Sequence, residues 1–302
     1  MPAAWAAHHM TEVWAANQAP TAAASSSPNP VADDVTALAL TGTASSDPDG
    51  TIRSYLWEQV SGKAGYFATP QGGTSTFTPD PYAAAVLVDS PVLFLRFEEQ
   101  SGTFASDVGG HVGTPVGAIH GAAGKLGWCP SFDGVDDYVS VPDAVDLRVT
   151  GDLTLEAWIY PTRGNNSGYS GLIAKQDAGD KPAYDWAIPF NEGRLRYGHA
   201  LAAGGASYAT PPTTGKIPTN AWTHVAIVKT NAAVAFYYNG VADGPAVAFT
   251  AGAAFAATAP VHIGQRNDGG FSRFPGRIDS VAIYASALTA ARLLAHFNAV
   301  SL

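Results

Sequence analysis

Apolar and polar residues alternate along most of the chain. In LTLEAWIY (153–160), Leu153, Leu155, Ala157 and Ile159 alternate with Thr154, Glu156, Trp158 and Tyr160, the period of a strand buried on one side. HVAIVK (224–229) and VAFYYNG (234–240) keep the same period, and GRIDSVAIY (276–284) reads as a closing strand. Asn239-Gly240 after a β run marks a type I′ hairpin, and Glu192-Gly193 a weaker one. Nearer the N-terminus, Val35, Ala37 and Ala39 alternate with Thr36, Leu38 and Leu40. SYLWEQV (54–60) and TSTFTPD (74–80) follow as strands, with the turn cluster SSDPDGT (45–51) before them. Helical spacing occurs at the two ends. TAARLLAHFN (289–298) predicts a short helix with Thr289 or Ser286 as N-cap and Leu293, Leu294 and Phe297 on one side. Trp5, His9 and Val13, with Trp14 just beyond, predict a short amphipathic helix within 1–16. Trp5, Val13 and Trp14 are candidate anchors, because indole rings on a short tail are costly to leave in water. TAAASSSPNP (21–30) is linker-like. Many short strands between frequent turns predict an all-β sandwich or jellyroll.

Composition narrows the function classes. The 302 residues include 32 Gly and 21 Pro, are 46% hydrophobic and only 14% charged, and carry a net charge of −9. That charge argues against a general nucleic-acid binder, which needs a basic surface. Cys129 is the only cysteine, so neither an intrachain disulfide nor a cysteine zinc site is available. No stretch approaches the roughly 20 apolar residues of a membrane span. The N-terminal run lacks a Lys/Arg start and a continuous apolar core, so no signal peptide is expected.

Two family resemblances extend this reading. NQAPTA (17–22), LTGTASSDPDGTIRSYLWEQVSG (40–62) and TSTFTP (74–79) resemble a PKD-type Ig-like β-sandwich module that stops two strands early. A truncated sandwich implies an open sheet edge that must be paired or covered. From residue 81 on, the order of PVLFLRFEEQSGT (91–103), SFDGVDDYVSVPD (131–143), GDLTLEAWIYP (151–161), NEGRLRYG (191–198), AWTHVAIV (221–228), VHIGQR (261–266) and GRIDSVAIYASALTAARLLAHF (276–297) is similar to the laminin G-like, concanavalin A-like jellyroll family. The resemblance implies two antiparallel sheets of about six or seven strands each. The junction PYAAAVLVDSPVLFLRFEEQSGT (81–103) resembles laminin G-like modules in minor tail proteins of phages of high-GC Gram-positive bacteria. The expected organisation is a tail and linker at 1–30, a truncated PKD/Ig-like module at 31–80 and the jellyroll at 81–302.

Catalytic constellations are not apparent. SGYSG (167–171) lacks the spacing of a nucleophile elbow. No ladder of carboxylates marks a glycosidase strand, and Glu156 stands alone. His8, His9 and Glu12 have a metal-like spacing that a polar helix face explains better. The expectation is a non-enzyme. For calcium, the acidic loop Asp133-Gly134-Val135-Asp136-Asp137 has oxygen ligands, and the family resemblance adds Asp107 and Asp279. A glycan site needs an aromatic face beside planar hydrogen-bonding groups. Candidates are Tyr169, Tyr184, Trp186, Asn191 and Arg196, then Tyr197, His199, Asn267, Asp268 and Phe271. Trp158 and Trp222 read as core residues.

The resulting expectation is a virion protein of the minor tail type, made without a signal peptide and present in multiple copies. Residues 1–80 would anchor it to other virion structural proteins, and 81–302 would bind host cell-surface polysaccharide. The alternative is a structural decoration or connector protein of a capsid or tail, without glycan binding.

Overall fold

The computed structural model describes residues 5–8, 20–27, 37–48, 51–59, 65–68, 71–163, 168–177, 181–189, 192–211, 213–214, 216–266 and 272–300, the side chains of 5–8, 58, 59 and 66 excepted. Its contacts divide the chain into two units, 1–84 and 85–301.

The first unit contains β1 (Trp5–His8), β2 (Ser25–Ser27), β3 (Leu38–Thr41), β4 (Leu56–Gln59), β5 (Gly65–Phe67) and β6 (Thr74–Pro79). β2, β3, β6 and β5 form one antiparallel sheet in that order. Leu38, Leu40, Trp57 and Phe77 are its buried core, with Phe67 against them. Trp57 donates its indole N–H to the Gly72 carbonyl at 2.8 Å. β1 pairs antiparallel with β4, from Trp5 opposite Gln59 to His8 opposite Leu56. The predicted N-terminal helix is therefore replaced at Trp5–His8 by a strand. Strand pairing satisfies the backbone groups that β4 would otherwise present at its edge. Val13 and Trp14 lie outside the described residues.

A helix does form where none was expected, α1 (Pro81–Val88). Asp80 caps it, its Oδ1 accepting the Ala83 N–H at 2.8 Å, and Pro81 occupies the first turn, where a missing N–H leaves nothing unsatisfied. Asp-Pro before an Ala-rich run was a readable start signal that the β pattern on either side obscured.

The second unit is the jellyroll. Its early strands are β7 (Leu93–Leu95), β8 (Phe104–Ala105), β9 (Val112–Val116), β10 (Ile119–Ala123), β11 (Trp128–Asp133) and β12 (Tyr138–Val141). The middle of the unit supplies β13 (Leu153–Pro161), β14 (Tyr169–Asp177), β15 (Lys181–Pro189), β16 (Arg196–Ala200) and β17 (Ala206–Ala209). β18 (Thr223–Lys229), β19 (Ala233–Tyr238), β20 (Val241–Ala242), β21 (Val247–Ala248), β22 (Val261–Ile263), β23 (Pro275–Tyr284) and α2 (Ala290–Ala299) complete it. One sheet of nine strands runs β10-β11-β23-β13-β18-β19-β20, with β7 on β23 and β21 on β19. The other, of eight, runs β17-β16-β15-β14-β22-β12-β9-β8. The additional strands beyond six or seven per sheet are two- and three-residue pieces: β20 and β21 on β19, β7 on β23, and β8 at the end of the eight-stranded sheet. Leu153, Leu155, Ala157 and Ile159 of β13 join Ile173, Trp186, Tyr197 and Ile263 of the opposite sheet in one core.

The other face of β13 is covered by α2. Thr289 caps this helix, its Oγ1 accepting the Arg292 N–H at 3.3 Å. Leu293 and His296 are buried, Phe297 stacks on Trp158 at 5.7 Å, and Leu294 faces outward with 40% exposure. Under the helix, Glu156 is fully buried. It accepts hydrogen bonds from His224 Nε2 at 2.9 Å, His296 Nδ1 at 3.0 Å and the Tyr284 hydroxyl at 3.2 Å. His296 Nε2 donates to Asp89 at 2.8 Å, and Arg292 Nε holds the same carboxylate at 2.8 Å. Burial works against a charged His296, but Glu156 and Asp89 outweigh it and raise its pKa. Burial likewise opposes a charged Glu156, yet the bonds from His224 and His296 hold its carboxyl well below the usual range.

Removing one partner of a buried ionic network leaves the others uncompensated. Glu156→Ala is therefore expected to destabilise the jellyroll by about 3–5 kcal/mol, measured as a loss in urea unfolding free energy; an effect below about 1 kcal/mol, the range of exposed pairs, would show the network to be peripheral.

Candidate functional site

The strand register separates the glycan candidates into two groups. Trp186 lies opposite Tyr197 across β15 and β16, so both rings project from the same face of the sheet. That face is the inner one. Tyr184, Trp186, Tyr197 and His199 are all 0% exposed, so these four candidates belong to the core rather than to a ligand surface. The Tyr184 hydroxyl donates to the Leu147 carbonyl at 3.1 Å. His199 sits 3.4 Å from the Tyr197 hydroxyl and edge-on to Phe249. Large rings at the inward parity fill the space between two sheets, which decides their fate regardless of their capacity to stack on sugars. Asn191, Asn267, Asp268 and Phe271 lie outside the described residues. Trp158 is buried, but beneath α2 on the outer face, and Trp222 is only half-buried on that same face, 5.4 Å from the Tyr160 ring.

Two candidates, Tyr169 and Arg196, come together on the outer face of the eight-stranded sheet, joined by residues the sequence reading passed over. Across neighbouring strands Tyr208 lies opposite Gly198, Gly198 opposite Asp185, and Asp185 opposite Ala174. Tyr208 is 42% exposed. A Cβ at Gly198 would fall 2.1 Å from the Tyr208 ring, so the glycine lets that ring settle against the sheet. The Arg196 guanidinium lies 4.1 Å from the Tyr208 centroid and 4.6 Å from that of Tyr169. Arg266 lies 4.9 Å from Tyr169. Between the two arginines is Asp185, fully buried, accepting from Arg196 Nη1 at 2.9 Å and Arg266 Nε at 2.7 Å. The result is an exposed ring beside a clamped, planar hydrogen-bonding group. Tyr208 was readable as the outward position of the short alternation in ASYA (206–209); the role of Asp185 was not, since it depends on Arg266 from another strand's end.

The metal candidates do not converge. Among the described residues, the one group of three that could hold a cation is Asp133, Asp136 and Asp137. Its oxygens already serve the turn: Asp133 Oδ1 accepts the Val135 N–H at 2.6 Å, and Asp137 Oδ2 accepts the Asp133 N–H at 2.7 Å. Burial and the neighbouring carboxylates raise the Asp137 pKa. Asp107 instead receives Arg96 Nε and Nη2 at 2.6 and 3.1 Å. Asp279 is fully buried and accepts the Lys125 and Leu126 N–H groups at 2.7 and 3.0 Å. Neither shares a site with Asp133. The carboxylate–imidazole set around Glu156 likewise lies sealed under α2.

The family model of the concanavalin A-like lectin/glucanases superfamily (Laminin_G_3) matches residues 133–293, just over half of the chain. The chain belongs to this superfamily. Similar solved structures include the binding domain of Paraclostridial Mosquitocidal Protein 1, at 17% identity and TM-score 0.55, with 70% of this chain covering 52% of that one. The Botulinum neurotoxin serotype G binding domain is 12% identical at TM-score 0.55, with coverages of 69% and 50%. Domain 4 of AbnA, a GH43 extracellular arabinanase from Geobacillus stearothermophilus, in complex with arabinotriose, is 21% identical at TM-score 0.53, with coverages of 68% and 96%. The chain thus spans about half the length of the first two structures. Likeness at such identities shows the shared fold. No curated protein matches the sequence.

Within this concanavalin A-like fold, burial, followed by the charge of Lys229, lowers the His199 pKa from 6.5 to about 4. Unfolding lets the imidazole take up a proton, so its contribution to stability is present above pH 6.5 and is lost as pH falls toward 4. His262 is lowered to about 4 in the same direction, by burial and then by Arg273. The urea midpoint should fall over that interval, and His199→Leu should flatten the fall; an unchanged slope would contradict the assignment. Trp186→Ala should lower the unfolding free energy by about 3–5 kcal/mol, whereas Tyr208→Ala should change it by no more than about 0.5 kcal/mol, as read in the same urea titrations.

Proposed function

We propose that the chain is a non-catalytic glycan-binding protein, and that the outer face of its eight-stranded sheet is the binding surface. The observation that carries this is the exposed Tyr208 ring held beside the Arg196 guanidinium, itself fixed by Asp185. An aromatic ring offers apolar surface to the C–H face of a sugar, and a guanidinium held in place donates hydrogen bonds without losing rotamer freedom on binding. The superfamily and the arabinotriose complex of a similar fold support the reading. The sequence resemblance of residues 81–103 to phage minor tail proteins supports placement on a virion, with residues 1–80 as the attachment to neighbouring structural proteins and the bound glycan on the host surface. Many copies on one particle would raise a weak single-site affinity by avidity.

The test is attachment of the purified full chain to intact high-GC Gram-positive cells, before and after enzymatic removal of surface polysaccharide. Tyr208→Ala and Arg196→Ala should each weaken attachment at least tenfold, with the unfolding midpoint of Tyr208→Ala staying near that of the parent. Attachment that survives both substitutions would reject this face, and no attachment to any cells would reject the glycan reading.

A further inference from the structure

The row that begins at Tyr208 continues across the whole eight-stranded sheet. Beyond Gly198, Asp185 and Ala174, His262 lies opposite Ala174, Ser140 opposite His262 and Thr114 opposite Ser140. Residues opposed across strands share a face, so β22, β12 and β9 turn these three side chains to the side that carries Tyr208. Val139 and Ile263, paired with each other between them, belong to the core and fix that parity. Planar groups follow the row from strand to strand. Arg196 lies between Tyr208 and Tyr169, and Arg266 is 4.9 Å from Tyr169. Gln265, its chain neighbour, has its amide Nε2 2.9 Å from His262 Nδ1. The His262 ring in turn lies 4.9 Å from Tyr138. β17 and β12 are five strand spacings apart in the sheet order, about 24 Å, which is wider than one sugar ring.

The far end of the row has its own apolar surface and hydrogen-bonding groups. Tyr138 is half-buried, and Val116 opposite it is 41% exposed. Ser140 brings a half-buried hydroxyl to the same place. An amide nitrogen only donates, so Gln265 donates to His262 Nδ1 and the neutral ring carries its proton on Nε2. Burial, followed by Arg273, lowers the His262 pKa to about 4, so this neutral form is the one present at pH 7. The imidazole is thus a donor of fixed tautomer beside a tyrosine ring. Apolar surface with a few placed polar groups suits a sugar at this end as well.

We propose that the ligand is an internal stretch of an extended, linear glycan that crosses the strands, with one sugar against Tyr208 and a later one against Tyr138 and His262. The inference rests on the glycan-binding reading above and adds a second contact at the opposite end of the face. The experiment measures affinity of the folded full chain for length-sorted fragments of polysaccharide released from high-GC Gram-positive cells by partial hydrolysis. Affinity should rise with fragment length by at least about tenfold and then level off, once a fragment reaches both ends. Tyr138→Ala should remove that gain for long fragments and leave binding of the shortest ones unchanged. Val116→Lys, which places a long charged side chain at an already exposed position, should do the same; it decides the matter if Tyr138→Ala fails to fold. A gain that survives in the folded variants would overturn the second contact, because it would then reflect only the number of sugars per fragment. Equal affinity for short and long fragments would overturn this inference while leaving the glycan reading standing. No binding to any fragment would overturn both.

Discussion

Adjacent side chains on a β-strand point to opposite faces, and this period of two governs the jellyroll. It sets the core and the candidate site in one stroke along β15. Trp186 enters the inter-sheet space with Tyr184, while Asp185 between them emerges on the other side. The same division on β16 sends Tyr197 and His199 inward and leaves Arg196 outside. A slip of one residue would put the indole in solvent and the carboxylate in the core, so packing of the large rings holds the polar face in register.

The nine-stranded sheet uses its outer face differently. Its outward residues include Glu156, which open sheets would leave in water, but α2 closes over it. The fold resolves the resulting buried charge with a chain of partners: Arg292, Asp89, His296, Glu156, then His224 and Tyr284. The chain joins α2, the segment after α1 and three strands. Such networks add little net stability over well-packed apolar residues, but they are unforgiving of a missing member. The helix position is thereby tied to a polar match as well as to Leu293 and the Phe297–Trp158 stack.

Aromatic rings and arginines recur together on the outside of the molecule, yet their settings differ. On the nine-stranded sheet Arg277 lies over Tyr160 at 4.2 Å and donates to the Ala123 carbonyl, a contact that joins strands. On the eight-stranded sheet Arg196 and Arg266 each donate to one oxygen of a buried acid, Asp185. The second arrangement sets a clamped guanidinium next to the exposed Tyr208 ring.

The sequence by itself determined several long strands of the jellyroll, the C-terminal helix and the class of fold, but neither α1 nor the strand at Trp5–His8. Alternation in LTLEAWIY and HVAIVK, the Asn239-Gly240 turn and the Thr289 cap are local signals, and local backbone preference is enough to read them. It also singled out Tyr169 and Arg196. It placed Tyr184, Trp186, Tyr197 and His199 at a surface they do not reach, because alternation says which residues share a face but not which face is covered. That choice belongs to the pairing of sheets: the second sheet buries Trp186, and α2 buries Glu156. Asp185 and Arg266 are 81 residues apart in the chain, and Trp5–His8 lies some fifty residues from the strand whose edge it fills. Contacts that distant leave no local pattern, so only the tertiary structure decides them.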